Sequence, residues 1–281
     1  FNGSNFASEM PELKPLVGYE SYDLNRWKLA RDAAQSVIAM GSYGLYVDNN
    51  EEAGRGFYRL FAAADWAQSG ANMGTIIEKM NGKGRGREIL FQPPSRNGNG
   101  RGGFPYQELV DAFPMKNGKA ITDPESGYDP NNPYANRDPR FYNTIVYDQK
   151  TLRNGSTLNV PVNIFTGNYN GTPSGQDAVF TGTPTGYYGN KQLHRSIAAN
   201  YFIGGPQSRP LIRFAEILLS YAEAQNEFGG PTPEVYQVLK DIRMRGGIEP
   251  GADGMYGLKD GMNQEEMREA IRHERRIELA I

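Results

Sequence analysis

The sequence contains no cysteine, so disulfide bonds, thiolate nucleophiles and cysteine-based zinc sites are excluded together. It has only two histidines, His194 and His273, and neither has a second histidine at the spacing of metal ligands. We therefore expect neither a histidine-based metal centre nor a catalytic triad. His273 lies in an Arg- and Glu-rich segment and is predicted to be a solvated helix residue.

Strong net charge and long apolar runs are also lacking. The 30 basic and 32 acidic side chains leave a formal net charge of −2, which gives no overall attraction to nucleic acid or to an anionic membrane. No apolar run reaches the roughly 18 residues of a membrane-spanning helix. The chain starts at Phe1 without a signal-peptide pattern, so we expect a fragment, with any membrane anchor outside it.

Two glycine-rich runs lack the residues that would make them phosphate-binding loops. Residues 82–86 and 98–103 interleave glycine with basic or amide residues, but neither ends in the Gly-Lys-Ser/Thr sequence that holds phosphate and magnesium. The second run is similar to an Arg-Gly nucleic-acid segment, yet it is short, single and set in a net-acidic chain. The Asp/Asn-rich stretch 123–138 matches no EF-hand spacing, so calcium binding is left open.

Helical patterns dominate the two ends of the sequence. Asp23 is a candidate N-cap, apolar residues recur after it at three- and four-residue steps, and Gly41 is a natural stop. Gly229-Gly230-Pro231 separates two amphipathic segments that must fold back on each other, and Asn263 with Glu266 forms a capping box. The predicted helices are about 23–40, 56–68, 211–228, 233–245 and 264–281, and the last has not ended where the sequence stops.

Residues 92–208 are dense in Gly, Pro, Asn, Asp and Thr. This stretch is too long for a loose linker, so we expect an ordered, irregular layer packed on the helices. In or beside it we predict short strands at Ile89–Phe91, Phe141–Tyr147 and Leu158–Phe165, and one or two helical turns at Tyr106–Phe113. A further short segment is predicted at Thr75–Met80, without a strand or helix assignment.

Two carboxylates fall on the apolar face of the last predicted helix. Glu274 and Glu278 lie one turn apart among methionine, alanine and isoleucine residues. Unpaired burial of either would cost several kcal/mol, so each should meet an arginine, and Arg243 and Arg245 of the preceding helix are the candidates. We interpret these pairs as structural rather than as a catalytic acid and base.

An ordered set of segments carries a family resemblance. RFAEILLSYAEAQNE, DIRMRGG and EMREAIRHERRIELA follow one another near the C-terminus, preceded by RWKLARDAAQSVIAMGSYGLY, REILFQ, YQELVDAFPMKNGK and ANRDPRFYNTIVYD. In this order they resemble the SusD/RagB family, the surface glycan-binding lipoproteins of Bacteroidetes-type nutrient-uptake systems. The N-terminal half of a typical member and the aromatic-rich box that follows ERRIEL are absent.

The resemblance implies a mainly α fold of tetratricopeptide-like helix pairs, an α-α superhelix, with a large irregular loop layer and a few short strands. We expect one domain over residues 1–281, incomplete at both ends. The implied function is non-catalytic binding of oligosaccharides or polysaccharides, without cofactor or metal, and their delivery to a SusC-type TonB-dependent transporter. Such a protein is exposed on the outer-membrane surface through an N-terminal lipid anchor that this chain does not contain.

Sugar binding needs aromatic faces that stack on pyranose rings, and planar amide or guanidinium groups that bond hydroxyls. The loops ADWAQSGANM and SRNGNGRGGFPY supply this mixture. The candidate ligand-binding residues are Trp66, Asn97, Arg101, Phe104 and Tyr106. Second-rank candidates are Phe165, Tyr169, Tyr187 and Tyr188. The competing interpretation is a packed anchor for Trp66, a solvated turn for the loop polar residues and a lid over the core for the second-rank aromatics.

Two other functions fit parts of the sequence. The helical block alone would suit a helical-repeat scaffold whose only ligand is a protein. A glycoside hydrolase would need two carboxylates about 5 to 10 Å apart across a sugar, and no local motif indicates such a pair. The sequence does not identify the glycan, and a peptide or another nutrient remains an alternative ligand.

Overall fold

A computed structural model describes residues 10–19, 21–62, 70–83, 88–98, 102–191, 193 and 206–281. Within them the fold is mainly α, as expected. None of the described helices is both long and apolar enough to cross a bilayer. The helices are α1 (Lys14–Val17), α2 (Leu24–Ala39), α3 (Arg55–Ala62), α4 (Glu88–Phe91), α5 (Gln107–Ala112), α6 (Pro139–Thr144), α7 (Phe214–Gly229), α8 (Pro233–Gly246) and α9 (Gln264–Glu278).

The described strands pair antiparallel, two by two. They are β1 (Thr75–Lys83), β2 (Ile145–Val146), β3 (Thr151–Asn154), β4 (Thr157–Pro161), β5 (Asn168–Tyr169), β6 (Thr172–Pro173), β7 (Tyr188–Gly189) and β8 (Pro206–Arg213). The pairs are β1 with β8, β2 with β7, β3 with β4 and β5 with β6. Because β1 precedes the loop layer and β8 follows it, with Thr75 opposite Arg213, the layer leaves the helical body and returns to it at the same place.

The C-terminal helices form the body of the fold, in which α7 packs against α2, α8 and α9. Gly230 ends α7 with φ = 80°, and α8 begins three residues later at Pro233. Glycine reaches this left-handed backbone region without steric cost, and proline suits the first turn of a helix. The predicted helical hairpin is therefore confirmed.

Three predicted helix ends are confirmed by their capping geometry. Asp23 accepts a hydrogen bond from the backbone N–H of Asn25 at 2.9 Å, and Gly41, just past α2, has φ = 64°. At α9, the Asn263 side chain accepts from the N–H of Glu266 at 3.0 Å. The Glu266 carboxylate accepts from the N–H of Asn263 at 2.9 Å, which completes the capping box.

Two predicted helix boundaries are wrong. The first of the C-terminal helices begins only at Phe214, because residues 211–213 belong to β8 and face β1. The last helix does not run to the end of the sequence but stops at Glu278. The backbone carbonyl of Glu278 accepts from the Arg213 guanidinium at 2.7 Å and from the Lys191 ammonium at 3.2 Å. Side-chain donors from outside the helix thus take the place of the backbone N–H groups that a further helical turn would supply.

Two predicted strands are also wrong. Ile89–Phe91 lies in the single turn α4, since a three-residue apolar run does not distinguish a strand from a helix. Phe141–Tyr147 divides into α6 and β2. The Asp138 carboxylate accepts the N–H of Arg140 at 2.8 Å and Pro139 occupies the first turn, and both features start a helix.

The remaining predicted elements agree with the fold in type. Residues 158–161 lie in β4 and residues 107–112 form α5. Residues 75–80, for which no strand was predicted, lie in β1. Residues 56–62 lie in α3, and the rest of that predicted helix lies outside the described residues. Residues 92–208 are an ordered layer of turns, short strands and single helical turns where they are described.

The described part of the fold contains three clusters of buried apolar side chains. The helical core is centred on Leu219, Val235, Leu239, Ile242, Met267 and Ile271. A second cluster joins Val110, Phe113, Phe141, Ile145, Tyr187 and Ile277. A third lies within the layer and contains Val146, Val162, Ile164, Tyr188 and Leu193. Since Ile277 belongs to α9, the second cluster anchors the layer directly on the last helix.

Glu274 is buried and ion-paired, as predicted. It is 1% exposed and accepts hydrogen bonds from Arg243 at 2.9 Å and from Arg140 at 2.5 Å. Arg140 also pairs with Asp138 at 2.9 Å. Burial alone would lower the pKa of Arg140, but Asp138, Glu274 and Glu278 together raise it well above its ordinary value.

Glu278 is fully buried one turn further along α9. It binds the guanidinium groups of Arg213 and Arg245, and Arg140 lies 3.3 Å from its second carboxylate oxygen. Burial alone would raise the pKa of Glu278, but Arg245, Arg213 and Arg140 hold it well below its usual range. Arg243 and Arg245 were predicted as partners of these carboxylates; Arg140 and Arg213 were not.

Replacing Glu274 by alanine is expected to lower the free energy of unfolding by about 3 to 5 kcal/mol, because Arg243 would stay buried without a carboxylate partner and Arg140 would lose one of its three. Urea-induced unfolding, followed by circular dichroism, measures the loss. Glu269→Ala on the same helix is the control: Glu269 and its partner Arg272 are 62% and 58% exposed, and exposed pairs contribute little. Equal losses in the two variants would contradict a structural role for the buried pair.

Candidate ligand-binding surface

Tyr106 presents an exposed aromatic ring at the start of α5. The residue is 71% exposed and has an extended backbone (φ −84°, ψ 158°) at the N-cap position. Its carbonyl accepts the N–H groups of Leu109 and Val110 at 3.0 and 3.2 Å. The backbone is therefore fixed by the helix while the ring is free to meet a ligand.

A chain of hydrogen bonds fixes Gln107, the residue next to this ring. The Gln107 Oε1 atom accepts from the Tyr187 hydroxyl at 2.7 Å, and its Nε2 donates to Asp111 at 2.8 Å. The Tyr187 hydroxyl lies 3.3 Å from that of Tyr134. Burial and the hydrogen bond with Tyr187 raise the pKa of Tyr134. Tyr187 is itself only 6% exposed and supports the surface from behind.

Asn97 is exposed and has a left-handed backbone, with φ = 59°, at the end of the 3₁₀ turn Pro94–Arg96. A Cβ atom on the next residue, Gly98, would lie 1.7 Å from the carbonyl oxygen of Gln92, so only glycine fits there. The buried Arg96 side chain donates to two carbonyls of β4 at 2.7 and 3.0 Å. The loop thus fixes the backbone that carries the exposed Asn97 side chain.

Phe104 is half-buried rather than exposed. Its ring meets that of Tyr188 edge to face, with centroids 5.9 Å apart, and it packs on the apolar cluster inside the layer. Tyr188 is 1% exposed, and its hydroxyl donates to the carbonyl of Asp177 at 2.9 Å. Both rings contribute packing beneath the surface.

Trp66 and Arg101, the other predicted site residues, lie outside the described residues. Asn72 and Met73, the last residues of the sequence segment ADWAQSGANM, line a groove of about 400 Å³ beside β1. The groove combines two hydroxyl side chains, an amide, an aromatic ring, two apolar side chains and a carboxylate: Ser42, Thr75, Asn72, Tyr43, Met73, Ile76 and Glu78.

Sequence reasoning missed the contribution of Ser42 and Tyr43 to this groove. The available signal was their position directly after Gly41, the predicted helix stop.

Among the second-rank aromatics, Tyr169 is half exposed, and its ring centroid lies 5.4 Å from that of Phe165. Exposed rings such as Tyr169 and buried rings such as Tyr187 and Tyr188 thus come from loops of similar composition.

His273 is not the solvated residue that the sequence predicted. Its Nε2 atom lies 2.7 Å from the carbonyl oxygen of Ala112, because α5 packs against α9. Burial lowers the pKa of His273, although Glu274 and the Ala112 carbonyl act in the opposite direction. In the part of the chain that the structure describes, no group of three or more His, Asp or Glu side chains is arranged to hold a metal ion.

Comparison with known proteins gives one consistent result. The sequence model of the SusD family matches residues 61–281. The SusD-like protein P2 of Formosa agariphila is 36% identical over 69 residues, which are 25% of this chain and 14% of that protein.

Solved structures are similar over most of this chain. A SusD-like protein from Bacteroides fragilis is 25% identical with a TM-score of 0.68, covering 91% of this chain and 49% of its own. A SusD-like carbohydrate binding protein from the same organism is 22% identical with a TM-score of 0.67, covering 92% of this chain and 47% of its own. The chain thus spans about half the length of these solved relatives, and the second likeness shows the fold alone.

Acidification is expected to destabilise the protein through His273. Because the folded-state pKa of His273 is lowered, its contribution to stability is complete above the unfolded-state pKa of about 6.5 and is lost as the pH falls toward the folded-state pKa. His273→Gln keeps a donor for the Ala112 carbonyl and removes the titration. The drop in Tm between about pH 7.5 and about pH 5.5 should be smaller in this variant; an equal drop would show that His273 does not contribute.

Proposed function

The chain belongs to the SusD family, and from this premise we propose that it binds oligosaccharides or polysaccharides at the cell surface without cleaving them. The observation that carries the proposal is the exposed Tyr106 ring, set beside the fixed Gln107 amide. An aromatic face beside ordered polar groups is the combination that pyranose rings and their hydroxyls require. The exposed amide of Asn97 adds a donor and an acceptor within the loop layer.

The groove beside β1 supports the same proposal. Its volume of about 400 Å³ is in the usual range for small-ligand pockets. Its lining mixes the Tyr43 ring with the Asn72 amide and the Ser42 hydroxyl, which are neutral partners for sugar hydroxyls. Trp66 stays a proposed contact, because it precedes the groove residues Asn72 and Met73 by a few positions in the sequence.

The ion pairing of two buried carboxylates, Glu274 and Glu278, supports the proposal of binding without hydrolysis. Glu274 and Glu278 are held by four arginines and are shielded from solvent. A glycosidase needs two carboxylates that flank the bound sugar, one as acid and one as base or nucleophile. Neither of these two is free for that role, so we assign the protein no catalytic step.

Delivery completes the proposal. The captured glycan would pass to a SusC-type TonB-dependent transporter in the outer membrane, the partner that the resemblance in sequence implies. The protein would be held at the cell surface by an N-terminal lipid anchor. Co-purification of the transporter with the full-length protein tests this step separately from sugar binding.

Trp66→Ala and Tyr106→Ala in the full-length protein are each expected to weaken oligosaccharide binding about tenfold, because each removes a stacking face. Isothermal titration with a panel of oligosaccharides measures the loss. Tyr22→Ala is the control, because Tyr22 is exposed at 58% but precedes α2, away from the candidate loops in sequence.

Unchanged affinity in both loop variants would remove these loops from the binding site. Binding of a protein partner, but of no sugar, would favour the helical-repeat scaffold. Release of shortened products would favour a glycoside hydrolase.

A further inference from the structure

One segment of the loop layer is almost free of charge. Between Arg153 and Lys191 the sequence has a single charged residue, Asp177, although 22% of the whole chain is charged. Asp177 is only 4% exposed, and its carboxylate accepts the backbone N–H of Ser95 at 2.8 Å. The solvent-facing side of residues 154–190 is therefore built from neutral side chains, chiefly threonine, asparagine, glycine and serine.

The same segment exposes large apolar side chains. Phe180 is 87% exposed, Leu158 60% and Tyr169 50%. A backbone hydrogen bond from the N–H of Val179 to the carbonyl of Ile164, 3.1 Å long, places the loop of Phe180 beside the segment that leads to Tyr169. The exposed aromatic rings thus belong to neighbouring loops of one neutral surface.

Phe180 also has an unfavourable backbone conformation. Its φ is 65°, in the left-handed region that a bulky L-residue rarely adopts. The turn is held by the N–H of Phe180 bonded to the carbonyl of Thr183, and by the N–H groups of Thr181 and Gly182 bonded to the carbonyl of Ala178, at 2.8 to 3.0 Å. Glycine would meet this backbone requirement without strain.

Packing of the Phe180 ring within the fold therefore does not offset the strain in its backbone. At 87% exposure it buries almost no apolar area, which is the usual benefit of phenylalanine. Strained residues concentrate where a structure contacts a ligand or partner. The ring is placed where it can pack on something outside this chain.

We propose that the neutral surface around Phe180 and Tyr169 binds an uncharged oligosaccharide, with the Phe180 ring stacked on a sugar ring. This inference rests on the proposed function and names the class of glycan. An acidic or sulfated glycan would require cationic partners, and the segment offers none. The charged residues at its ends do not supply them, because Lys191 is buried and Arg153 donates to the carbonyl of Gly155.

The decisive variant is Phe180→Gly in the full-length protein, titrated with neutral probes (malto-, cello-, xylo- and manno-oligosaccharides) and acidic ones (oligogalacturonate and chondroitin sulfate). We expect Tm to be unchanged or higher, because glycine relieves the left-handed strain. Affinity for the neutral oligosaccharide that the wild type binds should fall about tenfold. Phe180→Tyr retains the ring and should bind as the wild type does.

Leu29→Ala is the matched control, because Leu29 is 68% exposed on α2 and lies outside the segment. Raising the salt concentration from about 0.05 to about 1 M should leave the affinity for the neutral probe almost unchanged, since no charge pair forms. Tyr169→Ala should also weaken binding, but by less than Phe180→Gly because its ring is less exposed.

Neutral-sugar binding that is equal in the wild type, Phe180→Gly and Tyr169→Ala would overturn this inference and leave the proposed function standing. Binding of the acidic probes alone, with a steep loss at high salt, would overturn the assigned glycan class. Loss of a protein partner in Phe180→Gly, with sugar binding intact, would assign the surface to that partner. Failure of the wild type to bind any sugar would remove the proposed function and this inference together.

Discussion

Two carboxylates one helical turn apart, Glu274 and Glu278, join the parts of this molecule that are far apart in sequence. Their arginine partners come from α6, β8 and α8, so one face of α9 fixes the middle of the loop layer, the strand at its end and the helical hairpin. Removing either carboxylate would leave arginines buried without a counter-charge, which costs far more than the loss of an exposed pair. The position of the loop layer on the helices therefore depends on these ion pairs.

This arrangement separates charge from the proposed binding surface. Arg243, Arg245, Glu274 and Glu278 of the C-terminal helices are buried in ion pairs, whereas the loops expose tyrosine, phenylalanine and neutral polar side chains. A rigid helical body that positions irregular loops is a common basis for recognition, because the loops vary while the body keeps them in place. Recognition by neutral loops also suits a ligand that is rich in hydroxyl groups and free of charge.

The helical body could be predicted from the sequence, and the loop layer only in outline. Helix caps such as Asp23 and Asn263 act within a few residues, so their signals are readable locally. The burial of Glu274 followed from its apolar neighbours, but its partner Arg140 is 134 residues away, and no local pattern reports such a contact. Tyr106 and Tyr187 occur in loops of similar composition, yet one is exposed and the other is buried, because tertiary packing alone decides which ring faces solvent.

Hydrogen–deuterium exchange of the full-length protein, with and without the neutral oligosaccharide that it binds, tests the division between scaffold and binding surface most directly. Ligand should slow backbone exchange in residues 94–108 and 164–183, where the exposed aromatic and amide side chains lie, and leave residues 264–278 unchanged because their charges are already paired. Protection confined to α8 and α9, with the loops unaffected, would contradict the account and assign ligand binding to the buried charges.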